Sequence, residues 1–280
     1  MSRALAVFHG RFGRATVYQL NRPFNTHAHR EGHLIFHVGG IPASIDVGES
    51  RWQLSEDAVV AVNPWEPHNF IPADCGNGAI FFVLYVNAEW FAPDATRPHR
   101  LRFGRTHFKR TPALDKHIRR TAALVCGAPS LSSLDSELRR LIDICYDESW
   151  QQSEAVQDSA PKETRPAAAG TDFRVRKCIK LMSESPGAEV ALDSIARESG
   201  LSRPHFYRLF RTQTGVTPHL YLNTLIMEQA LAALVASDCP VADIGYDLGF
   251  SSQSGFSHFF TTNVGIAPTD YRRVAKVLSA

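Results

Sequence analysis

The last 110 residues of this 280-residue chain contain a repeat, and it constrains the fold more than any other feature. Phe206, Phe210, Gly215, Pro218 and Tyr221 recur as Phe256, Phe260, Gly265, Pro268 and Tyr271, each pair fifty residues apart. Upstream, Ile195, Gly200, Leu201 and Ser202 recur as Ile244, Gly249, Phe250 and Ser251, forty-nine apart, so one residue is inserted between the blocks. One supersecondary unit is therefore used twice. Each copy reads as helix–turn–helix. In the first, Leu192, Ile195 and Ala196 mark a short amphipathic helix. Gly200 ends it, because glycine takes the left-handed C-cap geometry without strain. Ser202 is placed to N-cap the next helix, with Pro204 in its first turn. Phe206 and Phe210, four apart, bury one face. Ile244, Leu248, Gly249, Phe250 and Ser251 take the same positions in the second copy. Two αα-hairpins packed as a plain bundle also fit, since this shape alone is weakly specific for DNA. Geometry favours DNA. The stretch 218–237 between the units reads as a helix of roughly 30 Å, close to the ~34 Å between successive major-groove faces.

Composition bounds the rest. With 44% hydrophobic and 21% charged residues, the chain is globular, and its length suggests two domains. Its net charge of +2 carries no strong signal for nucleic acid. The longest apolar run, Ala79 to Val86, is too short to span a membrane. The apolar stretch Ala4 to Phe8 is too short for a secretory signal. The five cysteines are scattered and form no CxxC pair, which argues against a disulfide framework and for a cytoplasmic location.

The chain divides near residue 150. Residues 151–170 have two prolines, no aromatic and little aliphatic content, and read as a flexible linker. Residues 1–110 carry short apolar runs (Ala15–Leu20, Leu34–Val38, Ala58–Val62, Ile80–Val86) between glycine and proline turns, the pattern of an antiparallel sandwich or barrel. In residues 111–150, Leu131, Leu134, Leu138, Leu141 and Cys145 alternate at spacings of three and four. That is a helical seam. It serves either a helix packed on the sheet or, with Glu137, Arg139 and Arg140 as its rim, a homodimer. The expected fold class is α+β and multidomain: a β-barrel with packed helices, then an all-α tandem helix-turn-helix domain over 171–280.

The segment VADIGYDLGFSSQSGFSHFFTTNVGIAPTDYRR (241–273) carries a family resemblance. Residues 172–277 resemble the DNA-binding domain of AraC/XylS-type transcription regulators, which lies behind a cupin-like effector domain. The resemblance implies double-stranded DNA, a small-molecule effector and RNA polymerase as partners, a dimer, and activation as the commoner outcome. It places Tyr207 and Arg208 where bases are read. Arginine suits guanine in the major groove. Arg203 and Arg211, with Pro204 between helix start and core, suit phosphate positioning. In the second unit the resemblance places Gln253, Ser254 and Ser257 at base-facing positions and His258 where the family usually has arginine, all four as DNA contacts, and Arg272 and Arg273 are expected to add phosphate contacts. No Lys or Arg lies between Arg211 and Arg272, so binding is expected to lean on the first unit.

The first domain concentrates histidines. His27 and His29, then His33 and His37, precede Pro64-Trp65-Glu66-Pro67-His68. These resemble the two cupin motifs, with His33 where metal-binding cupins place glutamate and Trp65 where the second motif has glycine. His27, His29 and His68 form a candidate site for zinc, nickel or iron, since imidazole suits these ions. A dry pocket with hydrogen-bonded histidines is the alternative. The expected effector pocket comprises His27, His29, His33, His37, Trp52, Trp65, His68 and Phe82, with Phe24, Phe36, Phe70, Tyr85 and Trp90 as further aromatics. Arg11, Arg14 and Arg22 either hold an acidic or sugar effector or lie on the solvated surface. The expected function is a non-enzymatic, ligand-controlled transcription regulator. Its rivals are a cupin enzyme with iron on His27, His29 and His68, and a regulator acting mainly through protein contacts.

Overall fold

The computed structural model describes residues 2–73, 78–91, 101–127, 131–154, 171–184 and 186–277. The N-terminal strands are β1 (Arg3–Gly10), β2 (Gly13–Leu20), β3 (Phe24–His27), β4 (Gly32–Gly40), β5 (Ala43–Val47), β6 (Ser50–Leu54), β7 (Ala58–Val62), β8 (His68–Phe70) and β9 (Ala79–Val86). A short α1 (Ala88–Phe91) and β10 (His107–Lys109) precede α2 (Pro112–Cys126) and α3 (Leu131–Glu154). The strands form two sheets, ordered β10-β7-β4-β9-β2-β1-β11 and β3-β8-β5-β6, rather than one continuously bonded ring. The β-rich domain expected from the turn spacing is thus present, built as two layers.

Alternation along the strands decides which side chains meet. On β4, His33, Ile35 and His37 share one face and Leu34 and Phe36 the other. Ile35 and its β9 partner Val83 belong to the core between the sheets. Leu34 and Phe36, with Phe82 and Leu84, pack outward against α2 and α3.

That outer layer consumes the leucine seam. Leu134, Leu138, Leu141 and Cys145 are all 0% exposed within a single chain, in one cluster with Phe36, Phe82, Phe103 and Ile118. Its rim is also used internally. Glu137 pairs with Arg120 at 3.0 Å, and Arg139 donates to the carbonyls of Phe91 and Trp90. Of the two uses open to this seam, the chain shows the helix packed on the sheet, with the apolar surface buried within a single copy. Of the expected linker, residues 151–154 extend α3, and 155–170 lie outside the described residues.

The C-terminal domain contains α4 (Phe173–Glu184), α5 (Leu192–Glu198), α6 (Arg203–Thr214), α7 (Pro218–Ala236), α8 (Val241–Asp247), α9 (Gln253–Val264), α10 (Pro268–Val274) and β11 (Ala275–Val277). The repeat resolves as α5–α6 and α8–α9. Gly215 and Gly265 close the two second helices at φ of 82° and 84°, a conformation glycine adopts freely. Ser252 caps α9 by accepting from the Gly255 amide at 3.1 Å, whereas the Ser202 side chain makes no such bond. Helix α7 is apolar nearly all round and buried, as expected of a helix packed on several sides.

The two domains share one apolar core, running from Ile35, Phe70 and Phe81 between the sheets to Met227, Phe260 and Tyr271. Strand β11 adds to β1 in parallel, so the end of the described chain becomes an edge of the N-terminal sheet. On α7, Tyr221 stacks on Trp65 at 4.5 Å, Thr224 donates to the Ala28 carbonyl at 3.1 Å, and Glu228 pairs with Arg30 at 3.0 Å.

Candidate functional site: a two-domain cavity and a pair of recognition helices

A cavity of about 50 Å³ lies between the sheets. Its N-terminal lining includes Arg14, Tyr18, Phe24, His27, His29, His33, His68, Phe70, Phe81 and Tyr85. Its remaining wall comes from the other domain: Met227 and Leu231 of α7, Asn263 and Val264 of α9. Sites for drug-sized ligands are commonly ~300–1,000 Å³, so the cavity as it stands has room for an ion or a few waters.

Four histidines converge on it. Ring centroids are 4.3 Å apart for His27 and His68, 4.9 Å for His27 and His29, and 4.5 Å for His33 and His68. The Nδ1–H of His27 donates to the Asn25 carbonyl and that of His68 to the Glu66 carbonyl, both at 2.8 Å. A carbonyl only accepts, so each ring keeps Nε2 as its lone-pair nitrogen. His29 Nε2 and His33 Nδ1 are buried without a hydrogen-bond partner. Burial lowers all four pKa values, that of His27 to about 4, so the imidazoles are neutral near pH 7. Neutral rings with free nitrogens fit the chemistry of a divalent transition metal.

Arg14 lines the same cavity. Arg14 of β2 pairs in register with Tyr85 of β9, and Tyr85 with His33 of β4. The guanidinium lies 3.8 Å from the centroid of the Tyr85 ring, and Nη1 donates to the Tyr271 hydroxyl at 3.4 Å. Arg14 is 6% exposed, and its Nε has no partner. The cavity lining contains no carboxylate. The carboxylate whose charge reaches the guanidinium, Glu31, lies outside the lining, so Arg14 is the cation that the cavity itself presents. Arg11 and Arg22 are exposed and take no part.

Four expected effector residues lie elsewhere. Phe82 points to the opposite face of the sheet, against the helices. His37 is on the inward face but beyond the cavity, bonded to the Ile41 carbonyl and edge-on to Phe81. Trp52 stacks on His107 at 5.1 Å, and Trp65 on Tyr221. Of the further aromatics, Phe36 and Trp90 also belong to the helix-side core.

On the recognition helices, Arg203, Pro204, Arg208 and Arg211 of α6 are exposed and Tyr207 is half-buried. Arg203 is tethered to Asp193 at 3.3 Å. On α9, Gln253, Ser254 and His258 are exposed and Ser257 is half-buried. Arg272, expected as a phosphate contact, has its guanidinium engaged with backbone carbonyls. Its Nη1 donates to the Cys239 carbonyl at 2.7 Å and its Nε to that of Leu234 at 3.2 Å, so the side chain closes the end of α7. Arg273 remains exposed, 3.6 Å from Asp270. A groove of about 630 Å³ between Arg211, His219 and His258 is bordered by Asn25, Thr26 and Pro67 of the N-terminal domain.

Residues 14–142 match the AraC-like ligand binding domain, and residues 195–274 match a helix-turn-helix domain. The chain belongs to the AraC family of transcription regulators. It is 35% identical over 106 residues to the HTH-type transcriptional activator RhaS of Citrobacter koseri, covering 38% of each chain. Over 85 residues it is 39% identical to RhaS of Escherichia coli, covering 30% of this chain and 31% of that one. The match thus spans well under half of these relatives. In fold, it resembles apo ToxT from Vibrio cholerae (TM-score 0.59, 13% identity, 93% of this chain and 96% of that one). Unsaturated fatty acid bound ToxT gives a TM-score of 0.58 at 14% identity, covering 93% and 94%. No described helix is long and apolar enough to cross a membrane.

Proposed function

We propose that this protein is a sequence-specific DNA-binding transcription regulator, an activator like its RhaS relatives, controlled by a small molecule in the two-domain cavity. The observation that carries this reading is the cavity wall itself: Met227, Leu231, Asn263 and Val264 belong to the DNA-binding domain. A metabolite larger than the cavity as it stands is accommodated only if its walls, these residues among them, give way. Ligand binding and domain docking are then coupled, and the effector favours one arrangement of the reading helices over the other. Arg14 at the inner wall selects an effector with an acidic group. The likeness to ToxT, whose fatty-acid-bound form shares this fold, is in keeping with such a ligand. α6 supplies most of the DNA contact, and RNA polymerase and a second copy of the chain are further partners, the latter through a face other than the buried leucine seam.

The test is a thermal-shift screen of small carboxylic acids on the full chain, followed by DNA-binding titrations with and without each hit. A hit that raises the unfolding temperature and changes operator affinity supports the reading. Hits that leave DNA affinity unchanged at saturation count against it. The cupin-enzyme rival has no use for the tandem recognition helices, and iron-dependent turnover of a small substrate would revive it.

A further inference from the structure

We propose that His27, His29 and His68 bind one divalent transition-metal ion, of the zinc, nickel, cobalt or iron(II) class, at the inner end of the cavity. The inference does not depend on control by an organic effector. One ligand nitrogen from each of the three rings lies within 4.8 Å of the others. Metal–imidazole bonds of about 2.0–2.1 Å place neighbouring ligand nitrogens about 3 Å apart, so small ring rotations complete the site.

Three observations support an ion over a set of packed histidines. First, the Nδ1–H groups of His27 and His68 are each fixed by a backbone carbonyl at 2.8 Å, which sets the tautomer and leaves Nε2 for the cavity. Metal-bound histidines are held in this way. Second, His29 Nε2 is buried with no partner, a condition that costs stability unless a ligand satisfies it. Third, the cavity of about 50 Å³ has room for an ion and a bound water without displacing α7 or α9. His33, with its ring 4.5 Å from that of His68, stands beside the open side of the trio. The guanidinium of Arg14 on the same wall opposes a bare dication and favours an ion that carries an anionic ligand in its open position.

The test uses full-length, tag-free protein stripped with chelator and titrated with cobalt(II) and zinc(II), the latter against a chromophoric chelator. The expected result is one equivalent bound, a cobalt spectrum of low coordination number and a raised unfolding temperature. His29→Gln and His68→Gln should each weaken binding by more than about tenfold, given that even outer-shell changes cost ~10–100-fold. His219→Gln, on the exposed face of α7, should bind as the parent does. Absence of stoichiometric binding, or equal binding by all variants, overturns the proposal. Should the cavity variants fail to fold, X-ray absorption of the zinc-loaded parent decides. Three imidazole nitrogens support the site, and sulfur ligation overturns it.

Discussion

The Tyr271 hydroxyl lies 2.6 Å from Nε2 of His9, joining the last helix of the DNA-binding domain to the first strand of the sheet. Because Arg14 donates to the same hydroxyl oxygen, the tyrosine's own proton goes to His9. Burial, reinforced by Arg14, lowers the pKa of His9 to about 3, so its Nε2 stays an acceptor at ordinary pH. Cavity wall and DNA-binding domain thus meet through one hydroxyl. Tyr271→Phe keeps the ring in its core but strands the Arg14 donor and the His9 acceptor. The expected cost is about 1–3 kcal/mol. Thermal unfolding should show this as a midpoint lower by several degrees, and an unchanged midpoint would remove Tyr271 from the docking contact.

Trp65 has a φ of 63°, the one non-glycine residue among those described with a positive φ. The left-handed region is unfavourable for so bulky a residue. What holds it is the Tyr221 ring, stacked at 4.5 Å with an interplanar angle of 4°, and its own amide, which donates to the His29 carbonyl at 2.7 Å. Trp65→Gly relieves the turn and deletes the clamp on α7. The variant should therefore keep a folded N-terminal domain while its domains separate more readily. Limited proteolysis of the full chain should run faster than in the parent, and an equal rate would show that the stacking does not restrain docking.

Glu228 is half-buried against Arg30, with Oε1 lacking a hydrogen-bond partner. Burial raises its pKa from 4.5 to about 7, although Arg30 acts in the opposite direction. Across that window the unfolded chain gives up its proton before the folded one does. The folded state therefore loses stability as pH rises from about 4.5 to about 7. Glu228→Gln removes this titration. Its unfolding temperature should match the parent's near pH 4.5 and exceed it at pH 8. A constant difference across that range would assign the pH dependence to another group.

The repeat, the strand-rich first domain and the histidine cluster were all legible in the sequence, because each rests on local spacing. Phe82 was misplaced although the information was present. His33 and His37 fix one face of β4, and strand pairing sets Phe82 opposite Phe36 on the other. The run Ala79 to Val86 is apolar on both faces, so its alternation is hidden until the partner strand is known. Met227, Leu231, Asn263 and Val264 carried no signal, since their place on the cavity follows from docking between domains. The leucine seam was read correctly as a helix, but its spacing is the same whether the partner is a sheet or a second chain.

That ambiguity has its own test. Leu138 is 0% exposed in a single chain, among the aromatics of the helix-side core. Leu138→Ala should cost about 2–5 kcal/mol of stability. Native mass measured over a range of concentrations should be the same as for the parent. Loss of a dimer at unchanged stability would restore the seam as an interface between copies.

On the DNA side the two halves of the repeat differ in charge. Helix α6 exposes Arg203, Arg208 and Arg211, while α9 has no charged residue and presents His258 at its exposed face. A bidentate arginine–guanine contact is worth about 1–3 kcal/mol of discrimination. Arg208→Ala should therefore weaken operator binding roughly 5- to 150-fold and relax sequence preference at one position. His258→Ala removes a weaker contact than an arginine makes and should cost less. Arg211→Ala, which removes a proposed phosphate contact, should instead weaken all sequences alike and flatten the log–log salt slope by about 0.9. Arg272→Ala should leave that slope unchanged, because its guanidinium is spent on the carbonyls of Leu234 and Cys239. Equal losses for Arg208→Ala and His258→Ala would mean that both units read DNA with the same weight. The sparse charge of α9 would then have to be offset by contacts from its backbone.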